Sequence, residues 1–254
     1  MRLLWHKTTT KVFGDHRSNN EDAFLRCKTR GEDISRFVMC DGATSSYAAR
    51  VWSNALVSRF AEAGNISNKD RVYAAAKEYE AKYPPTALTG MDHSTIESFK
   101  RGSSSTLLLV EQDKSDRNHL HLTAVGDTCF FVIDDKYRIL KSFPLESPSD
   151  FSTSAYLITV TFEGLKQLFD EQTCPFYWKR CDIDMGEFPD ARLMCATDAV
   201  SQWITANKEC PKAIERLFKV VKSSNRRKFV GFIEFERSRK TMPVDDSTVA
   251  ILGV

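Results

Sequence analysis

The chain has 254 residues, 42% hydrophobic and 28% charged, a mix that supports a real core and one domain spanning 1–254. Lys and Arg number 36 against 34 Asp and Glu, and the formal net charge of +2 gives no electrostatic case for nucleic acid or an anionic membrane as the main partner. Seven cysteines with no C-x-x-C pair argue against a structural zinc site and a disulfide scaffold, and suit a reducing cytosol.

At the N-terminus, Leu3, Leu4 and Trp5 are followed by Lys7 and a threonine run. That patch is too short for a secretory signal, and no stretch approaches the ~20 apolar residues of a membrane span, so a cytoplasmic monomer is expected. The apolar run 37–40 reads as a buried strand that stops at Asp41-Gly42. Residues 47–62 place Val51, Ala55, Leu56 and Phe60 at helical spacing, with Gly64 as a stop. A second helix is predicted over 70–82, opened by Asp70 and closed by Pro84 and Pro85.

Residues 102–142 read as a block of strands at 106–110, 120–125, 130–133 and 137–140. Turns at 113–118 and at Asp134-Asp135 imply antiparallel hairpins. The run 193–197 leads to Asp198, helices are predicted over 199–206 and 211–222, and Asp245-Asp246 opens the last apolar run, 249–252. Arg226-Arg227-Lys228 reads as a solvated helix face. Helices before and after an antiparallel block predict an α+β fold in which helices cover stacked sheets.

Asp41, Asp127, Asp198 and the Asp245-Asp246 pair thus stand at the ends of apolar runs. Strand ends are rigid, and hard divalent cations take oxygen ligands. Strand ends meeting at one sheet edge would place two ions to clamp a phosphate and activate a water. Any single Asp after a strand is more often a turn former or a helix cap. Four of them on otherwise apolar strands weaken that reading.

In order along the chain, Arg17-Ser18-Asn19-Asn20-Glu21-Asp22-Ala23, Val38-Met39-Cys40-Asp41-Gly42, Gly102-Ser103-Ser104-Ser105-Thr106, Val125-Gly126-Asp127-Thr128, Cys195-Ala196-Thr197-Asp198 and Asp245-Asp246-Ser247-Thr248 resemble the motifs of the metal-dependent serine/threonine protein phosphatases of type 2C, in their bacterial form. The resemblance implies a four-layer α-β-β-α sandwich of two mainly antiparallel sheets flanked by helices. It also implies two divalent cations, manganese or magnesium. Asp41 matches the carboxylate that bridges them, the Gly42 carbonyl a further ligand, and Asp198 and Asp245 the remaining core ligands. Glu21, with Asp22 beside it, matches a carboxylate that holds metal-bound waters. Asp127 with Asp198 matches the third-metal position of bacterial members, and Asp246 a supporting group. Arg17 matches the guanidinium that grips the substrate phosphate, a task its planar fork suits. The implied reaction is hydrolysis of phosphoserine or phosphothreonine proteins, those of a cognate Ser/Thr kinase, by a hydroxide bridging the two metals.

The sequence departs from the family in places. Ala43 stands where many eukaryotic relatives carry a histidine, and Asp198-Ala199 and Gly126-Asp127-Thr128-Cys129 replace the usual D-G and G-D-S-R. The weakest match is 143–192. Two rival readings are a pseudophosphatase that binds phosphoproteins or a kinase without turnover, which retention of Asp41, Asp198 and Asp245 disfavours, and a phosphatase of small phosphate esters.

Overall fold

The computed structural model describes residues 1–11, 19–27, 34–84, 89–113, 115–152 and 155–253. In chain order its elements begin with β1 (Arg2–Thr9), β2 (Ala23–Cys27), β3 (Ile34–Cys40), α1 (Ala49–Ala61), α2 (Asn68–Lys82) and α3 (His93–Arg101). The strand block follows as β4 (Ser104–Ser105), β5 (Leu107–Asp113), β6 (His119–Val125), β7 (Cys129–Ile133) and β8 (Ile139–Phe143). Then come β9 (Ile158–Thr159), α4 (Phe162–Phe169), α5 (Cys174–Tyr177), β10 (Lys179–Asp184) and β11 (Arg192–Ala196). The last elements are α6 (Asp198–Ala206), α7 (Pro211–Lys222), α8 (Arg226–Ser238) and β12 (Ser247–Gly253).

Two five-stranded sheets form, in the orders β1-β12-β11-β7-β8 and β10-β6-β5-β3-β2, and every pairing is antiparallel. They stack face to face. Phe37, Met39, Leu108 and Val110 of one sheet meet Phe130, Val132, Leu193 and Leu252 of the other. The alternate residues of the same strands face helices. Val38, Cys40, Leu107 and Leu109 pack under α1 and α2, while Phe131, Met194, Val249 and Ile251 pack under α6, α7 and α8. Strands buried on both faces have no polar side, which is why they read as continuous apolar runs and not as alternating ones. The fold is the four-layer α-β-β-α sandwich that was expected. Cys40 and Cys195 are core residues, fully buried. Among the described residues no helix is long and apolar enough to cross a membrane.

Both predicted hairpins form, β5–β6 in one sheet and β7–β8 in the other. The Gly126-Asp127 turn between β6 and β7 therefore carries the chain across from one sheet to the other. Some boundaries move for local reasons. The helix expected from Asp70 starts at Asn68, because the Ser67 hydroxyl accepts the Asp70 N–H (3.1 Å) and donates to the Asp70 carboxylate (2.6 Å). The helix expected over 47–62 ends at Ala61, where the Glu62 N–H bonds Arg59 O, so Gly64 lies beyond the stop. The strand expected over 137–140 begins at Ile139. The Asp134 carboxylate accepts the Lys136 and Arg138 amides, and Tyr137 turns to a φ of 64° inside that loop. β1, β2, β10, α3 and α4 had no expectation attached.

Phe130 stands in the seam between the sheets with no exposed surface. Phe130→Ala is expected to lose about 3–5 kcal/mol in urea denaturation. A loss under about 1 kcal/mol would show that the sheets do not close on that ring.

Candidate functional site

Five chain segments deliver carboxylates to one end of the stacked sheets: the residues before β2 (Glu21, Asp22), the exit of β3 (Asp41), the β6–β7 crossing (Asp127), the start of α6 (Asp198) and the entry to β12 (Asp245, Asp246). The fold thus brings together Glu21, Asp41, Gly42, Asp127, Asp198 and Asp245 of the sequence-derived set. Arg17 lies outside the described residues.

Asp41 is held by its backbone. Its N–H donates to the Thr106 hydroxyl (2.8 Å), while its carbonyl accepts the Thr106 N–H and the Ser105 hydroxyl, both at 2.9 Å. The Ala43 N–H bonds Ser104 O (2.9 Å), so the bonds fixing this turn come from residues on either side of Gly42. A side chain at Gly42 would collide with Ser53 Oγ at 2.7 Å and with the Glu21 carbonyl at 3.0 Å. Only glycine lets the β3 exit lie against α1 and the Glu21 segment. Gly126 is constrained twice, by a φ of +92° and by Thr106 Cγ2, which a Cβ would approach to 2.7 Å. Thr106 and Thr128 share a hydroxyl hydrogen bond of 2.6 Å, joining the Asp41 turn to the Asp127 turn.

The motif threonines hold the other side. Thr197 Oγ1 donates to Asp22 Oδ2 (3.2 Å) and accepts the Thr248 N–H (3.0 Å), and Thr248 Oγ1 donates to Thr8 Oγ1 (2.9 Å). Asp246, 2% exposed, accepts the Lys11 and Glu21 amides at 2.7 and 2.6 Å. Its carboxylate is spent on the backbone, in keeping with a supporting group. Arg237 was not anticipated. Its guanidinium donates to the carbonyls of Thr10, Lys11 and Asp245 and to Ser247 Oγ, bracing the entry to β12 from α8. The signal was Glu236-Arg237 on the same helix face as Phe229, Phe232 and Ile233, charges on an apolar stripe.

The electrostatics follow from this crowding. Burial, then the charges of Asp22, Asp198, Asp127 and Asp245, pushes the Asp41 carboxyl well above the ordinary range. Asp22 is raised well above it by burial and by Asp246 and Asp198. Asp198 is raised to about 7 by burial and by Asp127 and Asp245, although it opens α6, where the helix dipole favours an anion. Burial raises Asp127, Glu21 and Asp246 as well. The Asp198 N–H lies 3.5 Å from Asp41 Oδ2, and the crowding of Asp22, Asp41 and Asp198 favours their protonated forms.

The donor set suits a hard divalent cation, since every group is an oxygen. Glu21 Oε2 and Asp22 Oδ1 are buried without a hydrogen-bond partner, with the Lys11 ammonium 3.8 Å from the former. Among the described residues, no three His, Cys, Asp or Glu side chains are arranged to hold one ion. A cation in the midst of Asp22, Asp41 and Asp198 would displace the protons that these raised carboxyls favour.

Solved serine/threonine phosphatases share this architecture. Stp1 from Staphylococcus aureus superposes with a TM-score of 0.55 at 15% identity, over 100% of this chain and 96% of that one. A bacterial serine phosphatase gives 0.52 at 16% identity over 98% and 96% of the two chains, and the photosystem II phosphatase PBCP gives 0.51 at 15% over 93% and 92%. The chain therefore has the fold of these phosphatases, the one implied by its motifs. No protein-family model matches it, and no curated protein matches it in sequence.

Raised carboxyls set the sign of a pH effect. Between the ordinary Asp value and about 7 the folded chain holds more protons than the unfolded one, so stability declines as pH rises through that window. Without divalent cations, the urea midpoint is expected to fall between pH 5 and pH 8. Asp198→Asn is expected to flatten that profile and to be the more stable protein at pH 8. Parallel profiles for the two proteins would contradict the crowding described above.

Proposed function

We propose that the chain is a divalent-cation-dependent protein serine/threonine phosphatase of the type 2C family, with one catalytic domain over 1–254. The observation that carries this reading is the gathering of Asp41, Asp127, Asp198 and Asp245, with Glu21 and Asp22, at one end of a sandwich with a phosphatase fold. Motif order along the chain supports it independently.

In this reading Asp41, Asp198 and Asp245 with the Gly42 carbonyl hold the core pair, manganese or magnesium, and Asp127 with Asp198 holds a third ion. Glu21 orients water through its carboxylate. Bound cations would supply Lewis-acid charge to the phosphoryl oxygens and lower the pKa of water. Asp22, held by Thr197, sits buried beside Asp41, where a bound cation would displace its proton and draw on its charge. Thr106 and Gly42 keep the Asp41 turn rigid, which limits the reorganisation needed as charge develops on the phosphate. Arg17 grips two phosphoryl oxygens of a phosphoserine or phosphothreonine side chain. Ala43 offers no proton, so protonation of the leaving alcohol falls to water. The proteins acted on are those of a cognate Ser/Thr kinase, in the cytoplasm, with the phosphatase a monomer.

Manganese-dependent hydrolysis of p-nitrophenyl phosphate by the purified chain, and its loss in Asp41→Asn, is the expected result. If the unsubstituted chain were no more active than Asp41→Asn with metal in excess, it would be a binding pseudophosphatase and the enzyme reading would fall. Arg17→Ala should weaken transition-state binding of a phosphopeptide by about 1–3 kcal/mol in kcat/KM, the loss of a charge-assisted hydrogen bond. Unchanged phosphopeptide kinetics would remove Arg17 from the site.

A further inference from the structure

A second concave site lies away from the carboxylates. It is a cavity of about 800 Å³ between the α1–α2 connection, the α4–α5 region and the outer face of β3, β5 and β10. Its volume falls within the range of small-ligand pockets. None of the carboxylates discussed above lines it. Arg36, on its wall, stands five residues before Asp41 on the same strand, roughly 16 Å away at strand spacing.

The lining is of two kinds. One side is apolar and aromatic: Phe169 stacks on Trp178 (ring centroids 6.0 Å apart, 28° between planes), and Leu109 lies beside them. Tyr73 continues the stack on the far side of Phe169, at 6.0 Å and 25°. The other side is cationic, with Arg36, Lys69, Arg71 and Arg180 against a single carboxylate, Glu111. Glu111 is already engaged by Arg36 at 2.8 Å.

The four cations divide by role. Arg36 and Arg71 are buried and donate to the carbonyls of Glu62 and Gly64, so they brace the end of α1 and give the cavity a fixed positive wall. Lys69 and Arg180 are exposed at its mouth, and among the described residues neither lies within ion-pair distance of a carboxylate. The positive end of α2 opens on the same space. Bracing alone accounts for the two buried arginines. It does not account for Lys69, Arg180 and the partly exposed edge of Phe169 opening onto the same cavity.

We propose that this cavity is a binding site for a planar aromatic group carrying a phosphate, the ring lying against the exposed edge of Phe169 and the phosphate between Lys69 and Arg180. The site is independent of the phosphatase reading and would stand if that reading fell.

The cavity supplies its own reporter, because the free thiol of Cys174 lines it, half-buried, while that of Cys210 is exposed elsewhere. The test is the rate of Cys174 alkylation in the full chain, read by peptide mass spectrometry with Cys210 as internal control. Chelator is present throughout, so that cations at the carboxylates cannot hold phosphate. The probes are adenosine monophosphate, ribose 5-phosphate and adenosine. Adenosine monophosphate is expected to protect Cys174 saturably, and neither half-molecule to match it. The Lys69→Ala/Arg180→Ala double variant, changed only at exposed positions, is expected to need about tenfold more probe, as for loss of charge-assisted hydrogen bonds. Asp245→Asn is expected to need no more. The proposal is overturned if adenosine monophosphate at millimolar concentration gives no protection. It is equally overturned if either half-molecule protects as well, or if the double variant is protected like the unsubstituted chain.

Discussion

The structure turns on repulsion among carboxylates that the chain brings to one place. Two unit charges about 4 Å apart repel by about 4 kcal/mol at the effective dielectric of a protein site, a sizeable part of the total stability of a domain. Here Asp41 feels four other carboxylates at once. In the arrangement described, protonation relieves that repulsion, and burial and crowding raise the Asp22, Asp41 and Asp198 carboxyls accordingly. A divalent cation relieves it better, because it brings positive charge to all of them together. On the proposed reading, burial and mutual repulsion would favour a species of high positive charge.

Such a cluster needs a scaffold that will not relax. Two sheets buried on both faces provide it, since their strand ends cannot swing without opening the inter-sheet seam of Phe37, Leu108, Phe130 and Leu193. The remaining freedom lies in the turns, and small polar residues take it up. Thr106 and Thr128 lock the Asp41 turn to the Asp127 crossing, and Thr197 and Thr248 lock Asp22 to the entry of β12. Asp246 and Arg237 then tie the Lys11–Glu21 side to the same entry. The threonines at motif positions matter for the hydrogen bonds they donate and accept.

Much of this was legible in the sequence because burial on both faces leaves an unmistakable trace. Runs such as 37–40 and 193–197 can only be central strands or buried helices, and the Asp that ends each one marks the sheet edge. The helices α6 and α7 fell within a residue of the predicted spans 199–206 and 211–222. What could not be read depends on contacts between distant segments. Tyr137 looks like a strand residue until Asp134 captures the Lys136 and Arg138 amides and turns the chain. Edge strands β1 and β10 carry polar residues on their open sides and give no continuous run. Asp22 and Asp246 look like spare acids next to Glu21 and Asp245. The motifs gave Asp246 a supporting role, and the fold supplies its detail, spending that carboxylate on the Lys11 and Glu21 amides while Thr197 holds Asp22. The aromatic and cationic cavity was invisible for the same reason, since its lining comes from residues 36 to 180.

The central proposal is that the carboxylate cluster is a cation site whose raised carboxyls hold protons that a cation would displace. Calorimetric titration of manganese into the cation-free chain, at neutral pH in buffers of different ionisation enthalpy, tests it most directly. The account predicts saturable binding with net release of protons to the buffer. Absence of binding, or binding without proton release, would contradict it.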